Sequence, residues 1–284
     1  IDRGKTWKEV SAKMKDAENI RISPDGKWIA FSKDVLIEKV MAKDKYPELS
    51  KSTGQIYTDL NYRHWDTWSN GKVSHVFLIS IADPHMPALD ILKGQPYDSP
   101  QKPFGGKEDF IFSPDSKSII YVSKKKTGKA YAISTNTDIY EYKIETGATT
   151  NLTEGMMGYD VSPVFSPDGK SLAWLSMMTD GYEADKNDLI VMDMKTKQKV
   201  NLTAGWDETI DGSILWSQDN KSLYFSASVK GTQQLFQVNT SGTGQVKQLT
   251  QGNFNVTDLH LHKGNSIISG RTDFNHATEL YSIS

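Results

Sequence analysis

The sequence predicts an all-β protein, a β-propeller of about five four-stranded antiparallel blades. Three observations support this prediction. A five-residue turn motif recurs along the chain, a second short motif follows it at a similar distance, and the segments between them are rich in β-branched and aromatic residues. The apolar spacing of a helix is nearly absent, so the repeated unit is built from strands.

The turn motif reads Ser-Pro-Asp-Gly-Lys or a variant of it. Pro presets φ for a turn, Asp binds nearby backbone amides and Gly accepts a positive φ, so each copy predicts a tight turn between two strands. Because the motif recurs with the fold, its aspartates are interpreted as scaffold residues. The copies begin at Ser23, Ser113, Ser166 and Ser217, with a degraded copy at Leu261, and the aspartates are Asp25, Asp115, Asp168 and Asp219.

The second motif is a Leu-Thr pair, or Ile-Leu in the first copy, followed by any residue and Gly. Its copies end at Gly94, Gly155, Gly205 and Gly252. Both motifs recur at roughly 45–50 residues in most intervals, a period that fits four short strands and therefore one propeller blade.

These marks divide one propeller domain, residues 1–284, into units. The expected blade units are about 19–93, 107–153, 160–203, 212–250 and 256–284. Residues 1–11 match the turn and outer strand of a unit, so we expect them to be either a stray strand or the strand that completes the last blade. The two incomplete units indicate a fragment of a larger propeller.

The first unit is longer than the others because it carries an insertion at Lys33–Ser74. The insertion contains the aromatic and charged run DLNYRHWDTW, Asp59–Trp68. Loops of this length inside a compact repeat usually have a function. Helix is expected only here and in the stretch near the N-terminus.

Composition excludes several classes of protein. Lys and Arg total 33 and Asp and Glu total 35, a net charge of −2, which gives no basic surface for nucleic acid or membrane. There is no cysteine, which excludes disulfides and thiol nucleophiles, and no apolar run is long enough for a membrane span. His260 and His262 share a strand face but lack a third ligand, so neither a metal nor a cofactor is predicted. The start at Ile1 suggests a mature or excised piece.

Several longer runs resemble one family. DLNYRHWDTW at 59–68, KTGKAYAISTNTDIY at 126–140, EGMMGYDVSPVFSPDGK at 154–170 and DGYEAD at 180–185 resemble the propeller of bacterial dipeptidyl-peptidase V-type enzymes of the prolyl oligopeptidase family, whose blades are of the TolB, WD40-like type. The resemblance implies a periplasmic or secreted serine peptidase in which an N-terminal propeller precedes an α/β-hydrolase domain and dipeptides are released from peptide N-termini.

The catalytic part of that family has no counterpart in this sequence. Its α/β-hydrolase domain needs a G-x-S-x-G elbow, which does not occur here, so no catalytic residue is assigned and the isolated chain is expected to be inactive.

The candidate site residues lie in loops that a propeller places on one face. These loops join the second to the third strand of a blade, and the fourth strand to the first strand of the next blade. A carboxylate on this face could bind the amine of a peptide N-terminus, whereas the alternative is that Asp and Glu cap turns and Trp and Tyr pack between blades. The candidates are Arg63, Trp65, Asp66, Tyr159, Asp160, Tyr182, Glu183, Asp185, Trp206 and Asp207.

Three functions remain open from the residues. The first is a propeller that gates substrate access and docks the hydrolase domain, with peptides and that domain as partners and without nucleic acid or membrane. The second is a self-standing TolB-like module that binds other proteins. The third, a five-bladed glycoside hydrolase with paired carboxylates, is the weakest because no acidic position repeats at the start of the first strands. Oligomeric state is not predicted.

Overall fold

The computed structural model describes residues 14–83, 86–241, 245–262 and 266–283. Antiparallel strands dominate them, and the predicted all-β class with four-stranded blades is confirmed. The chain divides into two compact units. Of the described residues, the first unit contains those up to Ser134 and Tyr140–Thr150, and the second contains Thr135–Ile139 and those from Asn151 onward. No helix among the described residues is long and apolar enough to cross a membrane.

Ten strands and two short helices precede residue 152. They are β1 (Glu18–Ile22), β2 (Trp28–Leu36), α1 (Ala42–Lys45), β3 (Arg63–His64), β4 (Thr67–Trp68), β5 (Lys72–Ser80), β6 (Leu89–Asp90), β7 (Phe110–Phe112), β8 (Ser118–Ser123), α2 (Gly128–Ile133), β9 (Asp138–Lys143) and β10 (Thr149–Asn151). Single 3-10 turns form at Pro47–Leu49 and Lys107–Asp109. The expectation that helix is confined to the insertion and the N-terminal stretch is wrong, because α2 lies in a later loop, between β8 and β9.

Eleven further strands follow. They are β11 (Asp160–Phe165), β12 (Ser171–Ser176), β13 (Asp188–Asp193), β14 (Lys199–Asn201), β15 (Ile210–Trp216), β16 (Ser222–Val229), β17 (Thr232–Asn239), β18 (Val246–Gln248), β19 (Asn255–Leu261), β20 (Ile267–Asp273) and β21 (His276–Ile283).

The strands form four sheets of four and one sheet of three, each in simple up-and-down order. The sheets are β1-β2-β5-β6, β7-β8-β9-β10, β11-β12-β13-β14, β15-β16-β17-β18 and β19-β20-β21, and β3 pairs with β4 in a separate hairpin. The predicted outer strand at residues 1–11 and the degraded turn around Gly264 lie outside the described residues.

The serine of the turn motif ties the first strand of a blade to the second. Ser166 Oγ donates to Asp168 Oδ1 at 2.8 Å and accepts from the Ser171 amide at 3.0 Å, while Gly169 adopts φ +70°. The Lys170 amide and the Ser166 hydroxyl lower the pKa of Asp168. Serine–aspartate pairs at the other three clear copies repeat the bond at 2.6–2.7 Å. These aspartates therefore serve the scaffold.

The threonine of the second motif locks the fourth strand onto the third. Thr203 Oγ1 donates to Asp188 Oδ1 at 2.8 Å and accepts from the Leu189 amide at 2.9 Å. Thr153 and Thr250 make the same pair of bonds in the neighbouring sheets. A buried hydroxyl that both donates and accepts leaves neither the strand amide nor the side-chain acceptor unpaired, which explains why the motif repeats.

The first sheet links its third and fourth strands through different residues. Its second motif has no threonine, and the buried ring of His75 instead places Nδ1 2.9 Å from Asp90 Oδ2 and Nε2 2.9 Å from the Gln95 carbonyl. Asp90 also accepts the Leu92 amide at 2.9 Å. An Asp–His pair thus replaces the threonine bridge.

Four of the first strands of the sheets carry a β-bulge. The pairing register shifts in β1, β11, β15 and β19. In three of these strands the bulge begins at a residue with positive φ: Asn19 (+53°), Ser162 (+55°) and Asp258 (+51°). A bulge bends its strand and redirects the neighbouring side chains, so its position determines which side of the sheet those side chains of the first strand face.

The insertion is shorter than the predicted Lys33–Ser74. Strands β2 and β5 pair without interruption from Trp28↔Ser80 to Leu36↔Lys72, so the irregular loop covers only residues 37–71. The prediction ended the strand before Lys33, its first charged residue, although a strand with one solvated face accepts such residues.

Each unit has its own apolar core. Ile119, Tyr121 and Phe110 are fully buried in the first unit. In the second, Leu223 and Phe225 are fully buried. The burial of these side chains between strands supplies the main stabilising contribution of each unit.

Candidate functional site

The candidate residues of the second unit lie at one end of their sheets. In an up-and-down sheet, the loops from the second to the third strand and the connections from the fourth strand to the next blade leave at the same end, which we call the loop face. In the second unit it comprises residues 135–137, 151–159, 177–187, 202–209, 230–231 and 249–254. The candidates of the first unit lie in the loop between β2 and β5.

Asp160 lies beneath the loop face, with no solvent exposure. Its Oδ1 accepts the indole Nε1–H of Trp174 at 2.9 Å, whereas its Oδ2 has no hydrogen-bond partner of ordinary geometry within the described part of the chain. Burial raises the pKa of Asp160 to about 7, against the lowering effects of the Ser176 hydroxyl and the Trp174 indole. The preceding residue, Tyr159, forms a parallel bridge with Thr137, whose hydroxyl donates to the Asp160 carbonyl at 2.8 Å. The carbonyl of Asp160 therefore helps to anchor the loop at residues 135–137, while its carboxyl binds the Trp174 indole.

The loop between β12 and β13 is held by Asp185. Its Oδ2 accepts the amides of Met178 at 3.0 Å and Thr179 at 2.8 Å, which closes the loop on itself. This cap leaves Tyr182 and Glu183 at the exposed tip. Tyr182 is 54% exposed, so the loop presents a phenol and a carboxylate to solvent.

Trp206 is partly buried and packs against the core, whereas Asp207 next to it is exposed. The indole of Trp206 packs against Phe225 and Phe236, with ring centroids 5.5 and 5.1 Å apart. The carbonyl of Trp206 accepts Lys186 Nζ at 2.6 Å, and the same ammonium pairs with Asp188 at 2.8 Å. These contacts tie the connection at residues 202–209 to the core, so the residue that precedes Asp207 is anchored.

In the first unit, Arg63, Trp65 and Asp66 form a small aromatic hairpin with β3 and β4. The Arg63 guanidinium lies 5.6 Å from the ring centre of Trp68, within the range of a cation–π interaction. Trp65 sits at the turn with φ +50° and is 69% exposed. Its ring touches the equally exposed Phe104, at a centroid separation of 5.5 Å. Asp66, also exposed, occupies the other turn position. The hairpin therefore presents apolar surface to solvent.

A cavity that the sequence analysis missed opens at the loop-face end of the second unit. It has a volume of about 540 Å³ and lies where the bulges of β15 and β19 approach the turn between β16 and β17. Its polar lining includes Asp211, Ser228, Gln233, Asn255 and Asp258. The available sequence signal was Asp-Gly-Ser, which interrupts the apolar pattern at the start of β15. That signal does not show which distant residues complete the cavity.

The repeated sheets and their shared turn chemistry define a propeller domain of TolB-type blades. Residues 110–280 match the family model described as the TolB beta propeller domain, and the chain belongs to that family.

Two curated bacterial proteins are similar over most of the chain. Dipeptidyl-peptidase 5 of Porphyromonas gingivalis is 43% identical over 262 residues, which cover 92% of this chain and 38% of that protein. Dipeptidyl-peptidase 5 of Porphyromonas endodontalis is 42% identical over 262 residues, which cover 92% and 37% respectively. The chain thus spans less than two-fifths of the length of these relatives, and the resemblance to the propeller of dipeptidyl-peptidase V-type enzymes is confirmed.

A solved structure with the same fold is the Pyrococcus horikoshii acylaminoacyl peptidase. The TM-score is 0.64 at 13% identity, and the match covers 95% of this chain and 37% of that one. At this identity the likeness concerns the fold alone.

Proposed function

We propose that this chain is the propeller part of a serine dipeptidyl peptidase, in which it docks the hydrolase domain and controls the access of peptides. The observation that carries the proposal is the 43% identity to dipeptidyl-peptidase 5 across nearly the whole chain. The aligned part is only 38% of that relative, which leaves ample length for a catalytic domain. The periplasmic or secreted location is part of the same proposal.

The loop face is the surface that we assign to docking and access. On it, Glu183 and Asp207 are exposed carboxylates on loops whose bases are fixed by Asp185 and by Trp206. A loop that is anchored at its base can present an exposed carboxylate to a peptide amine, because ordering such a loop on binding costs little entropy.

The aromatic hairpin is the second docking element. Trp65 and Phe104, each 69% exposed, form adjoining apolar surface that is unfavourable in water and would be stabilised by burial against another domain. Both belong to the first unit, and we propose the hydrolase domain as the surface that covers them.

The test uses the complete reading frame that contains this chain. We expect a G-x-S-x-G motif after residue 284 and release of dipeptides from dipeptidyl-p-nitroanilides. Glu183→Gln and Asp207→Asn should each lower kcat/KM at least fivefold. Glu145→Gln is the matched control, because Glu145 is an exposed carboxylate in the turn between β9 and β10, at the opposite end of its sheet, and should leave kcat/KM unchanged.

Two results would contradict the proposal. A reading frame that ends without the elbow, or a complete protein that releases no dipeptide, would refute the peptidase function. If Glu183→Gln and Asp207→Asn leave kcat/KM unchanged, as expected for Glu145→Gln, the peptidase function would stand but the role of the loop face would be refuted.

The self-standing binding module remains the second candidate. The observation that favours it is the match of residues 110–280 to the TolB beta propeller domain, in a chain whose sequence has no G-x-S-x-G motif. A reading frame without the elbow, together with a stable complex between this chain and another protein, would establish it.

A further inference from the structure

The cavity between β15, β17 and β19 has a lining that carries negative charge without a balancing cation. Asp211 and Asp258 both contribute to it, and neither Lys, Arg nor His is among the residues that line it. Within the described ranges, neither carboxylate forms an ion pair with a basic side chain. The electrostatic potential of a concave site lined by charge of one sign favours an occupant of the opposite sign, here a positively charged one.

The hydrogen-bonding groups of the cavity contain more acceptors than donors. Ser228 Oγ lies 2.7 Å from Asp211 Oδ2 and 2.9 Å from Gln233 Oε1, and its single hydroxyl hydrogen can serve only one of them. The Gln233 amide group cannot turn round to supply the missing hydrogen, because its Nε2 donates to the Asp211 carbonyl at 3.1 Å. One acceptor at this point is therefore left for a donor from outside.

The lining is also held in place before any ligand arrives. The Gln233 backbone amide donates to Asn255 Oδ1 at 2.8 Å, which ties β17 to the start of β19. Gly212 lets the bulge of β15 approach β16, since a Cβ there would collide with the hydroxyl of Ser226. A preformed site loses less entropy on binding, which favours affinity.

We propose that this cavity binds a protonated nitrogen group of a peptide, an alkylammonium or a guanidinium. Such a group supplies several N–H donors and a positive charge, and these match the surplus acceptors and the two carboxylates. A volume of about 540 Å³ is far larger than one metal ion needs and accommodates a side chain with its neighbouring backbone. The site rests on the proposed peptide-binding function and deepens it, because it adds a second acidic position to the exposed carboxylates of Glu183 and Asp207. It is tested on residues 1–284 alone, so failure of either proposal is recognisable separately.

The experiment is isothermal titration calorimetry of the chain with four capped or uncapped tripeptides. Acetyl-Gly-Lys-Gly-amide and acetyl-Gly-Arg-Gly-amide carry the cation on a side chain. Gly-Ala-Ala-amide carries it at the N-terminus, and acetyl-Gly-Gln-Gly-amide is neutral. At least one cationic peptide should bind ten times more tightly than the neutral one, and its identity reveals whether the side chain or the N-terminus is recognised.

Variants locate the binding. The double substitution Asp211→Asn and Asp258→Asn should weaken binding of the cationic peptide at least tenfold. Glu208→Gln is the control, because it removes an exposed carboxylate three residues from Asp211 that does not line the cavity. Ser213→Phe fills the cavity without changing charge and should also weaken binding, which keeps the test valid if the double variant folds poorly. Circular dichroism verifies folding of each variant.

Three outcomes would overturn the proposal. These are no measurable binding of any cationic peptide at millimolar concentration, equal binding of cationic and neutral peptides, and cationic binding that Asp211→Asn with Asp258→Asn and Ser213→Phe leave unchanged. Loss of binding in Glu208→Gln of the same size as in the double variant would show that only general surface charge is sensed, and would equally refute the cavity as the site.

Discussion

Replacing Asp160 by Asn should change how the stability of this protein depends on pH. The carboxyl is fully buried, and its pKa is raised to about 7 from the usual 3.8 by burial. Unfolding exposes it to water, where it ionises near pH 4. Between pH 4 and 7 the folded state therefore holds a proton that the unfolded state has released, and the free energy of unfolding falls as pH rises.

The magnitude follows from the two pKa values. At 1.36 kcal/mol per pKa unit, the full difference corresponds to about 4 kcal/mol, of which about 2.5 kcal/mol is lost between pH 5 and pH 8. Asn cannot ionise, and its Oδ1 can still accept the Trp174 indole. Relative to the wild type, Asp160→Asn should gain about 2.5 kcal/mol of stability on going from pH 5 to pH 8.

The assay is urea unfolding followed by circular dichroism at pH 5, 6, 7 and 8. Asp109, whose pKa burial also raises to about 7, titrates in the same range, so only the difference between the wild type and the variant isolates Asp160. Asp207→Asn serves as the control for loss of an exposed carboxyl. If the difference in the free energy of unfolding between the wild type and Asp160→Asn stays constant from pH 5 to pH 8, the raised pKa of Asp160 is refuted.

Two further predictions concern the repeat and the catalytic chemistry. Thr203→Val should destabilise the protein by about 2 kcal/mol, because the Leu189 amide and Asp188 lose a buried partner. Thr203→Ser keeps the hydroxyl and should cost about 1 kcal/mol or less. Equal urea midpoints for the two variants would contradict the stabilising role of the hydroxyl. Purified residues 1–284 should release no dipeptide from a chromogenic substrate, because the nucleophile elbow is absent, and release that a serine-directed phosphonate inhibits would contradict this.

The turns and strands were predictable because their causes are local. Ser166, Asp168 and Gly169 make their hydrogen bonds and positive φ within six residues, so the motif alone contains the reason for the turn. The second motif was recognised as a repeat, but its reason was not, since Thr203 acts on Asp188, a residue in the preceding strand. The end of β2 was missed because its pairing partner in β5 lies beyond a long loop.

The candidate site was predictable only in part. The sequence assigned Tyr182, Glu183 and Asp207 to loops, and these side chains are exposed on the loop face. The same reasoning included Asp160, Asp185 and Trp206, which the structure uses to anchor, cap and pack those loops. A loop position in the sequence does not reveal which way its side chain points, and burial decides that.

By itself, the sequence determined the repeat, the turn chemistry and the all-β class, because backbone preferences and short-range hydrogen bonds act between residues that are neighbours in the chain. The tertiary structure alone decided that Asp160 is buried with no counter-charge among the described residues and that Asp211 and Asp258 share a cavity. These properties arise from contacts between strands that lie far apart in the chain. Desolvation and the approach of like charges depend on distances in space, which only the folded chain defines.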